Sequence, residues 1–179
     1  MKKIIIDAGH GGQDYGYIGC KVVEKDITLK LALMLNTALK KRGFASVCTR
    51  EDDTSLSLKE RCEVANSTEA DLFISFHCNE SANNGAKGIE TFVYENTGAT
   101  GELAQAIQAQ LANVTRLHNR GVKERPILTL LNGIYIPAVV IEMGFLSNHA
   151  EESLLMDDNF LQKSADAIPF IFLPRQPQN

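Results

Sequence analysis

Two histidines and two glutamates stand at the ends of apolar runs in this sequence. His10 follows IIIDAG, His77 closes DLFISFH and Glu142 closes VVIE, while Glu24 opens a stretch with helical periodicity. Two histidines and a glutamate form a familiar zinc set. Catalytic zinc keeps three protein ligands and leaves a fourth position for water. With His10, Glu24 and His77 as ligands, Glu142 is left over. A spare glutamate beside a zinc-bound water is what metal-assisted hydrolysis requires. The metal lowers the pKa of the water, the glutamate takes its proton, and the hydroxide attacks a carbonyl. The apolar residues around Glu142 should raise its pKa and make it a better base.

Each residue alone has a plainer reading. A histidine at a strand end usually hydrogen-bonds at the rim, and an acid at a helix start satisfies the helix dipole. Glu142 is harder to dismiss, because a carboxylate ending so apolar a strand needs a partner or a metal nearby. The four together on one rim favour the metal. His118 and His149 are both expected to be solvent-exposed, and either stands as a substitute ligand. Cys78 adjoins His77 but should point to the opposite side of the strand, which argues against a Cys-His nucleophile pair. A G-x-G-x-x-G phosphate motif fails at Asp14, and the P-loop and H-E-x-x-H patterns are absent. The glycines around His10 are therefore expected to clear backbone bulk, so that a metal and a large ligand can approach.

The elements that must position these residues follow from hydrophobic pattern. Residues 3 to 7 (KIIID) read as a buried strand. Residues 24 to 42 read as a helix with Ile27, Leu31, Met34, Leu35 and Ala38 on one face and Gly43 as its stop. Residues 44 to 49 form a second strand, and Ser57 with Glu60 is a capping box that starts a helix over 58 to 66. Strands follow at 71 to 77, apolar on both faces, and at 88 to 94. Leu103, Ile107, Leu111 and Val114 mark a third helix, and the polar, basic stretch 115 to 126 reads as a loop. Strands are expected at 127 to 131 and 137 to 143. Asn132-Gly133 between them signals a hairpin, Pro137 argues against it, and the pairing stays open. Residues 149 to 172 are helical, in one or two pieces around Asp157-Asp158. The alternation predicts an α/β fold: one three-layer domain, a mostly parallel mixed sheet of about six strands, helices on both faces. Ligands of such sheets bind at the carboxyl ends of the strands, where the four polar residues lie.

Composition sets the outer bounds. The chain has 179 residues, 44% hydrophobic and 22% charged, which suits one ordinary globular domain. A net charge of -4 disfavours a nucleic-acid surface. No apolar run is long enough to span a bilayer, so no membrane insertion is expected. Asp7 and His10 interrupt the N-terminal apolar run too early for a signal peptide. None of the four cysteines forms a C-x-x-C pair, which argues against a zinc ribbon or redox dithiol and points to folding under reducing conditions. Cys48 and Cys62 fall among apolar neighbours and read as small core residues.

Taken with their order, these stretches resemble the zinc-dependent N-acetylmuramoyl-L-alanine amidases that cut bacterial peptidoglycan. The matching blocks are IIIDAGHGGQDYG, VVEKDITLKLALMLNTALKKRG, TREDDTSLSLKERCEVAN, ADLFISFHCNES, GIETFVY, RGVKERPILTL and IPAVVIEMGFLSNHAE, spanning residues 3 to about 168. The resemblance implies a single Zn2+ held by His10, Glu24 and His77, with Glu142 of the E-x-G-F-x-S-N block as the catalytic acid-base. It implies hydrolysis of the amide between the lactyl group of N-acetylmuramic acid and L-alanine. Asn79, two residues past a ligand, would suit a hydrogen bond to substrate. Departures from the family pattern are Ala8 where proline is frequent, Cys78 where a small residue is usual, and the atypical IPFIFLP with Pro169.

The expected organisation is a catalytic domain over residues 1 to 173 and a tail or linker stub over 174 to 179. Such a chain is expected to be a monomer acting on peptidoglycan, as an endolysin or autolysin, and a wall-binding module missing here would follow the tail. Action is expected at the cell wall. Host or mother-cell lysis, a holin, or a segment absent here would bring the enzyme to it. A zinc peptidase of the stem peptide and a non-catalytic binding module are the rival classes. An intact Glu142 argues against the second.

Overall fold

The computed structural model describes residues 3–173. The tail expected at 174 to 179 lies outside the described residues. The sheet begins with β1 (Lys3–Ala8), whose alternation splits its side chains between two cores. Ile4, Ile6 and Ala8 enter a large cluster with Ile27, Leu31 and Leu35 of α1 (Glu24–Lys41). Ile5 enters a smaller cluster on the opposite face. Further along come β2 (Ala45–Cys48), α2 (Leu58–Ser67) and β3 (Leu72–Asn79). The capping box at α2 is formed in full: the Glu60 amide donates to the Ser57 hydroxyl, and the Ser57 amide donates to the Glu60 carboxylate.

Then follow β4 (Ile89–Val93), α3 (Gly98–Thr115), β5 (Asn119–Glu124), α4 (Thr129–Asn132) and β6 (Ala138–Phe145). The chain closes with α5 (His149–Leu155), α6 (Asp158–Ala167) and a 3-10 turn at Ile168–Phe172, which accommodates Pro169 in its first turn. Asp157 caps α6 by accepting from the Asn159 amide, so the expected helical stretch is two helices with the break where Asp157-Asp158 placed it.

The six strands run in the order β2-β1-β3-β6-β4-β5. All neighbouring pairs are parallel except β4 and β6. Helices α1, α3 and α6 cover one face, and α2 and α4 pack on the other through Ala65, Leu130 and Leu131. Central β3 is buried on both faces: Phe76 faces α1, Phe73 faces the smaller core, and both are fully enclosed. Burial of each contributes on the order of 2–3 kcal/mol.

Two expectations are corrected. The stretch 115 to 126 contains strand β5, not only loop. Its sequence NRGVKE lacks an apolar stripe because it is an edge strand, held by pairing to β4 and by polar side-chain contacts. Residues 127 to 131 are a turn leading into α4, not a strand. Ile127 is exposed there while Leu130 and Leu131 turn inward. Asn132-Gly133 ends that helix, the Gly133 amide donating to the Thr129 carbonyl, and no hairpin forms. Pro137 sits one residue before β6, and its carbonyl accepts from the Phe73 amide, which lets β6 enter between β3 and β4.

Candidate active site

The turn after β1 carries His10 in a left-handed conformation, φ 62°. A non-glycine residue there is strained by about 1–3 kcal/mol, and its surroundings must hold it. Two buried arginines do so. Arg61 donates to the carbonyls of Ala8 and His10, each at 2.7 Å. Arg50 donates to the carbonyls of Ala8 and Gly9, each at 3.0 Å. Arg61 is itself paired with Asp7 at 2.6 Å, and Asp7 also accepts from Ser75 and Thr49. The polar end of β1 is thus an anchor for the His10 turn.

The His10 ring is oriented from behind. Its Nδ1 lies 2.9 Å from Asp14 Oδ2, leaving Nε2 directed at Glu24 Oε1, 3.1 Å away. Glu24 is the first residue of α1, yet its carboxylate serves the cleft. Oε2 accepts from the Tyr17 amide at 2.9 Å, and Oε1 accepts from the Cys78 amide at 2.9 Å. His77 Nδ1 lies 3.0 Å from the same Oε1. The two imidazole rings meet edge to face with centroids 4.9 Å apart. One donor atom each from His10, Glu24 and His77 therefore falls within 4.8 Å of the others.

Glycines make this approach feasible. A Cβ on Gly9 would lie 2.4 Å from His77 Cε1, and one on Gly16 would lie 2.6 Å from Glu24 Oε2 and 2.7 Å from His10 Cδ2. Gly11 and Gly12 play a different part, admitting the Thr54–Ser55 segment against the turn.

Electrostatics fit a cation at the centre. Burial works against ionised Glu24, but hydrogen bonds from both histidines hold its carboxyl well below the ordinary range. Burial likewise works against protonated His10 and His77, and the Glu24 carboxylate outweighs it and raises both. Two imidazole nitrogens and a carboxylate oxygen, with a second carboxylate behind one ring, are the donor set of a catalytic zinc site. The residues present fit that ion.

Glu142 stands opposite His77 in the β3–β6 register and opposite Glu90 in the β4–β6 register. One edge of it lines the cleft, while Oε2 is enclosed without a hydrogen-bond partner, alone in this among the side-chain atoms of the described residues. Burial pushes its carboxyl up to about 7, with His77 opposing and Glu24 and Glu90 reinforcing.

The cleft above these groups is a cavity of ≈ 610 Å³, with Tyr17, Ile18, Asn79 and Glu80 on its walls. A second recess of ≈ 210 Å³ touches His77 and Glu142 from the other side and is floored by Phe92, Leu128 and Val140. Asn79 lies at the cleft, beyond a register shift in β3. Its amide nitrogen is given to Glu90 Oε1 at 2.5 Å and its carbonyl accepts from the Glu80 amide.

The structure thus brings His10, Glu24, His77 and Glu142 together, with Asn79 beside them. His118 and His149 are exposed and stand apart from this cluster, and Cys78 points into the core on the far side of its strand. Sequence reasoning passed over Asp14, Arg50, Arg61 and Glu90. Asp14 had a signal, four residues from His10 in the same glycine-rich turn. Glu90 had another, a charge inside the apolar run GIETFVY. Buried Glu90 is held ionised, against its burial, by Lys123 and Arg120 of β5.

Comparison with known proteins agrees with this geometry. A family model described as N-acetylmuramoyl-L-alanine amidase matches residues 4–169. The germination-specific N-acetylmuramoyl-L-alanine amidase of Bacillus subtilis is 33% identical over 181 residues, covering 93% of this chain and 76% of that protein. The N-acetylmuramoyl-L-alanine amidase LytC of Bacillus subtilis is 37% identical over 168 residues, covering 92% of this chain but 34% of that longer protein. Among solved structures, the catalytic domain of CwlV, an N-acetylmuramoyl-L-alanine amidase from Bacillus (Paenibacillus) polymyxa var. colistinus, superimposes with a TM-score of 0.90 at 35% identity. It covers 96% of each chain.

Proposed function

The chain belongs to the N-acetylmuramoyl-L-alanine amidase family, and from that membership we propose that it is a zinc hydrolase of the amide between N-acetylmuramic acid and L-alanine in peptidoglycan. Glu142 carries the assignment: an enclosed carboxylate oxygen without a hydrogen-bond partner, set directly opposite His77. His10, Glu24 and His77 would hold the zinc. When bound, that ion supplies a Lewis acid for the scissile carbonyl and acidifies water at the site.

The chain's own groups then divide the work. Glu142, with its carboxyl near 7, takes a proton from the attacking water and returns it to the departing alanine nitrogen. Amide and water become a carboxylic acid and a free amine. Asp14 fixes the ring of His10, and the Tyr17 and Cys78 amides fix the carboxylate of Glu24. Asn79 keeps one amide hydrogen for a substrate oxygen, since Glu90 takes the other. All of these groups come from one chain, so a monomer suffices. The reading places its action at the bacterial cell wall, reached by lysis or by export.

Digestion of purified peptidoglycan with and without a chelator, followed by mass analysis, tests this. New alanine amino groups, lost on chelation and restored by zinc, are expected. Reducing sugar ends would mean a glycosidase, and cleavage within the stem peptide would mean a peptidase; either result overturns the proposal.

A further inference from the structure

Away from the cleft, a second set of metal-binding side chains meets where the loop before α1 rests on α5. Cys20, His149 and Glu152 each place a ligand atom within 4.8 Å of the other two. Glu152 is unlike an ordinary surface acid, being 1% exposed. Its Oε1 accepts from the Lys21 amide at 2.8 Å. Its Oε2 makes no hydrogen bond among the described residues and, unlike Glu142 Oε2, is not sealed from solvent, and His149 Nδ1 stands 3.9 Å off, beyond hydrogen-bonding range. A carboxylate this enclosed, with one oxygen open on the side of His149, can take a cation, and no lysine or arginine of the described residues pairs with it.

The backbone is shaped around this carboxylate. A Cβ on Gly19 would lie 2.4 Å from Glu152 Oε1, so glycine there lets the loop seat on the acid. The seat is closed by the Gly19 amide donating to the Val22 carbonyl at 2.9 Å. Cys20 and His149 are both exposed and have the rotamer freedom to close on a common ion.

We propose that Cys20, His149 and Glu152 form a second transition-metal site, for zinc or a similar borderline-soft divalent ion, that ties the active-site loop to α5. Thiolate, imidazole and carboxylate are all zinc ligands, and three of them leave a position for water. On binding, the Cys20 thiol gives its proton to solvent. The loop so fixed carries Tyr17 and Ile18, which wall the cleft, and the Tyr17 amide holds Glu24 Oε2. At its N-terminal end, where His149 sits, α5 follows the strand that bears Glu142. The bridge therefore stiffens two sides of the cleft without entering it.

The test is metal binding by the full chain under reducing conditions, with Cys20→Ser and His149→Gln beside it. Both positions are exposed, so both variants are expected to fold. Zinc titration of metal-free protein should show two equivalents in the wild type and one in either variant. Cobalt(II) reads this site separately, because the His10–Glu24–His77 set holds no sulfur. A near-ultraviolet thiolate-to-cobalt charge-transfer band is expected in the wild type and absent in Cys20→Ser. Zinc should also slow alkylation of Cys20 by iodoacetamide on the order of tenfold, followed by peptide mapping. A wild type without the band, a band surviving in Cys20→Ser, or an alkylation rate indifferent to zinc would each overturn the proposal, whatever happens at the cleft.

Discussion

Glu142 faces His77 directly across the β3–β6 register, yet its Oε2 has no hydrogen bond among the described residues. A carboxylate held so near an imidazole but unpaired is available for proton transfer. Glu142→Gln keeps the shape and removes the base. Turnover of peptidoglycan should fall about 10²–10⁴-fold, the range of a positioned general base. Bound zinc, counted by atomic absorption, should stay at the wild-type level, since Glu142 is outside the ligand set. Retention of full activity would remove Glu142 from the mechanism.

Stability of the metal-free protein should fall as pH rises through neutrality. His10 and His77 are raised, so their contribution is whole below their ordinary 6.5 and is lost as pH climbs through the folded values. Glu24 is depressed, so its contribution is present above its ordinary 4.5 and is lost only on strong acidification. Glu142 is raised from 4.5 to about 7, so the cost of ionising it in place grows between those values and reaches on the order of 3 kcal/mol. The three effects leave a stability maximum near pH 4.5, where the gain from Glu24 and the loss from Glu142 balance. Zinc requires neutral imidazoles, so the stabilisation by zinc should grow over the same rise. Thermal melts at about pH 5.5 and about pH 8, with chelator and with zinc, read both slopes. A metal-free protein that gains stability toward pH 8 contradicts the ionised cluster, and Glu142→Gln should flatten the curve.

His10, His77 and Glu142 were legible because each follows or ends an apolar strand, where a buried sheet leaves few reasons for a polar group, and Glu24 because it opens a helix on the same rim. The same logic fails at β5. As an edge strand it needs no apolar stripe, and NRGVKE looks like loop until Glu90 and Gln108 are seen to hold it. It fails again at Arg50 and Arg61, whose role is to hold carbonyls of a turn some 40 to 50 residues away. No local period encodes such a contact. The α4 segment was misread because ILTLL suits a strand by composition, and only tertiary packing selects which leucines turn inward.

At the proposed zinc site Asp14 would act through His10, whose Nδ1 it holds. Asp14→Ala should weaken zinc affinity about 10–100-fold, the usual cost of removing the group behind a ligating imidazole. Asp14→Asn retains an acceptor oxygen for Nδ1–H and should recover part of the loss. Competition with a chelating dye measures both. Equal affinity in Asp14→Ala and wild type would show that the 2.9 Å contact does not orient the ring.

The Asp7–Arg61 pair is fully buried and 2.6 Å apart. Asp7→Asn leaves an uncompensated guanidinium beneath the His10 turn. The expected cost is about 3–5 kcal/mol, a melting temperature roughly 10 °C lower in a domain of this size. Zinc affinity should drop as well, because Arg61 holds the His10 carbonyl. A melting temperature within about 2 °C of wild type would mean that the turn does not depend on the pair.

Gly16 and Gly43 separate backbone strain from space at the ligands. Both have a left-handed backbone, φ 64° and 80°. A Cβ on Gly43 meets nothing within 4 Å, so Gly43→Ala should cost about 1 kcal/mol of stability and leave zinc binding unchanged. A Cβ on Gly16 lies 2.6 Å from Glu24 Oε2, and that oxygen is pinned by the Tyr17 amide. It also lies 2.7 Å from His10 Cδ2, a ring pinned by Asp14. Neither neighbour can yield without breaking its own anchor. Gly16→Ala should therefore carry the same backbone cost and in addition lose zinc affinity and turnover by about 100-fold, as expected when catalytic groups move by an ångström. Melting curves and zinc titrations on the two variants decide the point. If Gly16→Ala resembles Gly43→Ala in both, the glycines of the first turn serve its conformation and not the approach of His10 and Glu24.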